Sequence, residues 1–247
     1  MNPSWVRLMT FDQAEFELRC EWGEHGVAQL ASISDVIIIV DVLSFATCVD
    51  IAVSQDARVF PYHWKDESAA RLAASVGAEL ADGQRSESRY SLSPASLVSI
   101  PRGTRLVLPS PNGATLSFST GATPTLTGCL RNSRAVAAAA QRYGRRIAVI
   151  PAGERWRDGS LRPVFEDWVG AGAILSHLPG MPSPEAHAAV ATYQCARQDL
   201  ASLLKRCSSG KELLERGFEH DVALASSLDV SPRVPTLVQG AYVHGET

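Results

Sequence analysis

The sequence predicts an α/β fold of three layers, α/β/α, around a mixed, mostly parallel sheet. Three observations carry that reading. Short apolar runs alternate with segments of helical character, which is the rhythm of βαβ units. The run Val36-Ile37-Ile38-Ile39-Val40 is apolar throughout, as a central strand covered on both faces should be. And three apolar runs end in a polar residue or tight turn. The first ends at Asp41, the second at Pro109-Ser110-Pro111-Asn112-Gly113, the third at Pro151-Ala152-Gly153-Glu154. Ligands in open α/β sheets bind outside the carboxyl ends of the strands, so these three points are expected on one rim.

The elements follow in order. Residues 16–20 alternate apolar and polar, which suits a half-buried strand. Trp22-Gly23 and His25-Gly26 punctuate a predicted loop. After the strand at 36–40 a helix is predicted over 47–53, then a strand over 58–62. Asp66 is the expected N-cap of an alanine-rich helix that closes at Gly77. Residues 82–102 break the rhythm with a long polar stretch, which in a compact domain is usually functional or mobile. Strands over 105–108 and 125–129 follow, separated by a short helix after Asn112-Gly113. Asn132 or Ser133 caps a helix predicted to reach Gly144, and the strand at 147–150 comes next. Residues 154–163 read as a polar loop. Glu166-Asp167 opens a small-residue helix to Leu175. The remainder is predicted mainly helical from about 181, over 184–206, 211–216 and 219–228. The whole, 1–247, is expected to be one domain.

Composition narrows the function. Hydrophobic residues make up 45% of 247, and the formal net charge is -3 with no Lys/Arg-rich block, so no nucleic-acid partner is expected. No apolar run approaches the ~20 residues of a membrane helix, and the start lacks an apolar signal segment, so a cytoplasmic protein without a membrane partner is expected. The five cysteines are odd in number and none are spaced C-x-x-C, which argues against a disulfide framework or zinc cage. There is no phosphate loop of the G-x-x-x-x-G-K-[ST] type and no G-x-S-x-G elbow. No cysteine has an arginine six positions later. Leu43 stands where a haloacid-dehalogenase-type phosphatase needs a second aspartate.

The candidate site residues come from the strand ends. Asp41 ends a buried strand, where a carboxylate is costly unless paired or bound to a metal. It reads as Mg²⁺ ligand, nucleophile or helix N-cap. Asn112-Gly113 lies between strand and helix, where backbone N–H groups bind anions. Glu154 suits a metal ligand or base, because magnesium takes one or two carboxylates with water and phosphate. Glu166 and Asp167 either meet a helix dipole or turn toward the rim. Arg85, Arg131 and Arg155 supply positive charge suited to an anionic substrate.

In order, Asp41-Val42-Leu43, Ser93-Pro94, Asn112-Gly113, Asn132-Ser133-Arg134-Ala135-Val136-Ala137, Ala152-Gly153-Glu154, and Glu166-Asp167 with Ala171-Gly172 resemble the 2-phosphosulfolactate phosphatase family. Gly217-Phe218-Glu219-His220-Asp221-Val222 and Val234-Pro235 extend the resemblance from about Trp22 to the C-terminus. The resemblance implies an α/β, Mg²⁺-dependent phosphatase that hydrolyses 2-phosphosulfolactate to sulfolactate and phosphate, a step of coenzyme M biosynthesis. Carried over by position, Asp41, Asn112, Glu154, Glu166 and Asp167 become the expected site. The chain departs from the family pattern at Ser44 to Cys48, at Gln84, at Leu92 and at Ala114. These changes spare the acidic skeleton and alter expected substrate contacts.

The sequence therefore predicts a Mg²⁺-dependent phosphomonoesterase acting on a small anionic phosphorylated metabolite. Asp41, Glu154 and Asp167 are its expected catalytic residues. Asp41, Glu154, Glu166 and Asp167 are the expected metal ligands. Asn112, Gly113, Arg85, Arg131, Asn132 and Arg155 are expected to bind substrate. The alternative is a catalytically inactive anion-binding protein on the same fold. A homodimer is the default expectation for oligomeric state.

Overall fold

A computed structural model describes residues 11–63, 66–82 and 89–245. The elements are β1 (Leu18–Cys20), α1 (Gly23–Leu30), β2 (Val36–Val40), α2 (Phe45–Ser54), β3 (Arg58–Tyr62), α3 (Glu67–Val76), β4 (Glu79–Leu80), α4 (Pro94–Leu97), β5 (Arg105–Pro109), α5 (Gly113–Ser119), β6 (Thr125–Gly128), α6 (Ser133–Ala140), β7 (Ile147–Pro151), β8 (Glu154–Arg155), β9 (Leu161–Arg162), α7 (Phe165–Leu175), α8 (Pro184–Ala196), α9 (Leu200–Arg206), α10 (Ser208–Glu215), α11 (Glu219–Ala225), β10 (Pro235–Val238) and β11 (Ala241–His244).

Nine strands form one mixed sheet in the order β1-β7-β2-β6-β10-β11-β3-β5-β4, and most of its pairings are parallel. β2 is fully buried, because its alternate side chains feed two cores. Val36, Ile38 and Val40 pack with residues of α6, α7 and α8, including Val136, Ile174 and Ala189. Ile37 and Ile39 pack on the other face with Val27 and Leu30 of α1 and Leu116 of α5. This two-faced burial makes the three layers. α3 behaves as its caps dictate: both Ser68 N and Ala69 N donate to Asp66, and Gly77 takes the left-handed conformation.

The two parallel groups of strands are joined by the C-terminal hairpin β10–β11. Thr236 pairs with Leu126 of β6 and Tyr242 with Val59 of β3, both antiparallel. Gln239 and Gly240 at the hairpin tip both have positive φ, as a two-residue turn between twisted strands requires. With β10–β11 itself, three antiparallel steps separate β6 from β3, so the two groups run in opposite senses along the ladder. Twist of roughly 20–25° per strand accumulates to on the order of 100° over the five steps from β2 to β5. The turn after β5 nevertheless reaches the end of β2, where Gly113 N donates to Asp41.

Several predicted elements are corrected. The expected loop at Trp22 to Gly26 is the start of α1. The helix after Ser133 stops at Ala140, short of Gly144. The helix expected over 184–206 is two helices, α8 and α9. The expected loop at 154–163 holds the hairpin β8–β9. After α11 the chain returns to strand, in β10 and β11, where no strand was predicted.

Candidate active site

The end of β2 delivers Asp41 to a buried position, 6% exposed. Its Oδ1 accepts from Phe45 N at 3.1 Å, which anchors the start of α2. Its Oδ2 accepts from Gly113 N at 2.9 Å, which ties the start of α5 to the end of β2. Only glycine fits there, since a Cβ at Gly113 would lie 2.8 Å from Asp41 Oδ2 and 2.5 Å from the Phe45 ring. The residue before it in the turn, Asn112, directs its amide Nδ2 to Glu154 Oε2 at 2.9 Å. The ends of β2, β5 and β7 thus converge, as the sequence predicts.

Asp167 lies in the first turn of α7, buried, between the same strand ends. Its Oδ1 accepts from Val42 N at 2.7 Å and its Oδ2 from Gly153 N at 2.9 Å. Gly153 takes φ +70 to present that N–H. Asp167 is thus the clasp between the turns after β2 and β7. Its carboxyl is raised well above the usual range by burial first, then by Asp41 and Glu166. Glu154 is also raised, to about 7, by burial first and by the charge of Asp41, with Asn112 opposing. Glu166 is buried in the same turn, 2% exposed. Beside it the Cys207 thiol is pushed up to about 12 by burial and by Glu166, which makes it a poor nucleophile. Four carboxylates therefore share one region and act on each other. Cys48 is a core residue packed with Phe45 and Leu106.

Two cavities open beside Glu154 and Arg155. One, about 220 Å³, is lined by Trp22, His25, Asn112 and Leu161 among others. The other, about 360 Å³, lies between the β8–β9 hairpin and α10, lined by Arg162, Ser208, Ser209 and Glu212 as well. The stacked rings of Trp22 and Trp168, 5.2 Å apart, brace the start of α1 against α7.

Other expected substrate contacts sit elsewhere or are already engaged. Arg131 Nε donates to Asp50 Oδ2 at 2.9 Å, and its Nη1 to Leu224 O at 3.1 Å. It satisfies a buried acid of α2. Asn132 is wholly buried and bonds Cys129 N and Arg233 O, closing the turn after β6. The N–H of Gly113 is taken by Asp41, so this turn is a scaffold for acids and not the anion cradle that was expected. Arg155 is at the site but paired with Glu24 and with Gly159 O. Arg85 lies outside the described residues. The residues that sequence reasoning missed are Arg162, Ser208 and Ser209. Asp158-Gly159 between two short runs was the available hairpin signal for Arg162. It places Arg162 directly across from Glu154. Nothing local marks Ser208 and Ser209.

Residues 25–240 match the family described as 2-phosphosulpholactate phosphatase. The chain belongs to that family. It is similar to the 2-phosphosulfolactate phosphatase of Methanothermobacter thermautotrophicus, 31% identical over 139 residues, which are 56% of this chain and 58% of that protein. A probable 2-phosphosulfolactate phosphatase of Thermosynechococcus vestitus is 32% identical over 54% of this chain and 57% of its own length. One from Gloeobacter violaceus is 38% identical over 31% of this chain and 35% of its own. The chain thus spans between about a third and three fifths of the curated relatives it matches. The family match covers every site segment from Asp41 to Ser209.

Proposed function

We propose that this chain is a phosphoric monoester hydrolase acting on a small anionic ester, with 2-phosphosulfolactate as the first substrate to test. The observation that carries the reading is the convergence of Asp41, Asn112-Gly113, Glu154 and Asp167 from distant segments beside a polar cavity, in a chain of this family.

The acids fit a hard divalent cation. Burial raises both Glu154 and Asp167, and each is raised further by like charge. Among the described residues no three His, Cys, Asp or Glu are grouped to enclose a metal. Mg²⁺ does not need that: it takes one or two carboxylates and fills its shell with water and phosphate oxygens. Asp41 and Glu154 would hold it, as strand-end carboxylates brought together in one buried region where the charge of Asp41 raises Glu154 after burial does. When bound, the ion would supply the positive charge that offsets phosphate oxygens. The chain's own residues do the rest. Asp167 fixes the two strand-end turns. Asn112 orients Glu154. The two carboxylates and the cavity walls set where the ester's phosphorus is presented to water.

The test is phosphate release from 2-phosphosulfolactate, phospholactate and phosphoglycolate, in Mg²⁺ and in EDTA. Metal-dependent release selective for the sulfonate supports both chemistry and substrate. Release from another ester alone keeps the hydrolase and discards that substrate. Folded protein that is stabilised by these anions but releases no phosphate overturns the enzyme in favour of a binding protein.

A further inference from the structure

The cavity between β8–β9 and α10 holds a cation that the site described so far does not use. Arg162 lines it, half-buried, across the hairpin from Glu154. Its guanidinium stacks over the Trp156 ring at 5.2 Å. Among the described residues no carboxylate or carbonyl takes its N–H groups. The neighbouring charges are different. Arg155 is committed to Glu24, and Glu212 to Arg216 at 3.0 Å. An arginine held by its face against an aromatic ring keeps its donor fork free, and that fork matches a planar or tripodal oxyanion. Opposite it stand Ser208 and Ser209, whose hydroxyls have no hydrogen-bond partner among the described residues. One free fork and two free hydroxyls line the same 360 Å³ space, next to the acid expected to hold the ion.

We infer that this cavity seats a second acid group of the substrate, a sulfonate or carboxylate, with Arg162 as its main contact and Ser208 and Ser209 as hydroxyl donors. The inference rests on the proposed phosphatase reading and sharpens it. The site selects esters whose alcohol carries its own negative charge. The phosphate end lies toward Asp41 and Glu154, and the second acid lies under the hairpin. Arg162 is a specificity-determining residue and not a catalytic one.

The experiment compares wild type with Arg162→Gln and Arg162→Lys on 2-phosphosulfolactate, 2-phospholactate and glycerol 2-phosphate, the last lacking any second acid. Charge-assisted bonds of this kind are strong, so Arg162→Gln should cut the selectivity for an acid-bearing ester over glycerol 2-phosphate by about 10- to 100-fold. The loss should fall mainly on KM, with Arg162→Lys in between. A fall confined to 2-phosphosulfolactate identifies the sulfonate, and a fall shared by 2-phospholactate identifies the carboxylate. An unchanged selectivity ratio overturns the inference. Thermal stabilisation by sulfolactate gives a readout that needs no turnover. If wild type hydrolyses nothing but loses its sulfolactate-induced shift in Arg162→Gln, the seat stands and the phosphatase reading falls. If sulfolactate does not stabilise wild type, the seat falls, whatever the turnover.

Discussion

At the scale of the residue, the site is governed by carboxylates crowded into low dielectric. Asp41 raises both Glu154 and Asp167. Asp41→Asn should therefore abolish phosphate release while lowering the pKa of Glu154, which a carbon-detected NMR titration in EDTA would read. A pKa unchanged in the variant would separate the two acids. Glu154 titrates at about 7 in the fold against an ordinary 4.5. The folded protein thus holds that proton more tightly than the unfolded chain does. Its contribution to stability is best below about pH 4.5 and is lost as pH rises toward 7. The loss is about 3 kcal/mol at most, at 1.36 kcal/mol per unit. In metal-free buffer, melts of wild type and Glu154→Gln from pH 5 to 8 should show wild type losing ground to the variant as pH rises. Parallel curves would contradict the burial argument.

At the scale of the element, the turns after strands act as clasps. Asp41 holds α2 and α5 together, and Asp167 holds the turns after β2 and β7. A third clasp lies away from the site. Asp50 of α2 is wholly buried and receives Arg131 and the Ser231 hydroxyl at 2.6 Å. Removing one partner of a buried pair leaves an uncompensated charge. Arg131→Leu should thus cost about 3–5 kcal/mol, visible as a shifted denaturant midpoint. Residual folded enzyme should keep its KM within about twofold, a margin set by the cost of losing even one ordinary hydrogen bond. A KM raised tenfold with stability intact would return Arg131 to the substrate-binding set.

At the scale of the whole molecule, the C-terminal hairpin is the seam of the sheet. β10 and β11 stand between β6 and β3, and among the described residues the sheet passes from β6 to β3 through them. Tyr242 is fully buried there, its hydroxyl 2.8 Å from Ser117 Oγ and its ring edge-on to Phe45. A chain ending at Arg233 should lose cooperative unfolding, because two half-sheets would expose unpaired edges. A sharp calorimetric transition in that truncated chain would show that the halves associate without the seam. No helix among the described residues is long and apolar enough to cross a membrane.

The sequence by itself determined the layered α/β class, the central strand β2, the caps of α3 and the polar residues at three strand ends, Asp41, Asn112 and Glu154. Each of these is written in local periodicity or local chain geometry, which survive without the rest of the molecule. The hairpin at the seam was hidden because Pro235 discourages a strand and the Gln239-Gly240 turn is a weak signal alone. Only the tertiary structure decided that Arg131 and Asn132 serve the scaffold. A side chain's partner depends on which distant segment is packed against it, as Asp50 is against Arg131. The same holds for Arg162 and Ser208, which come from distant segments and line one cavity between the β8–β9 hairpin and α10. Long-range packing, and not pattern, chose which charges were satisfied within the fold and which were not.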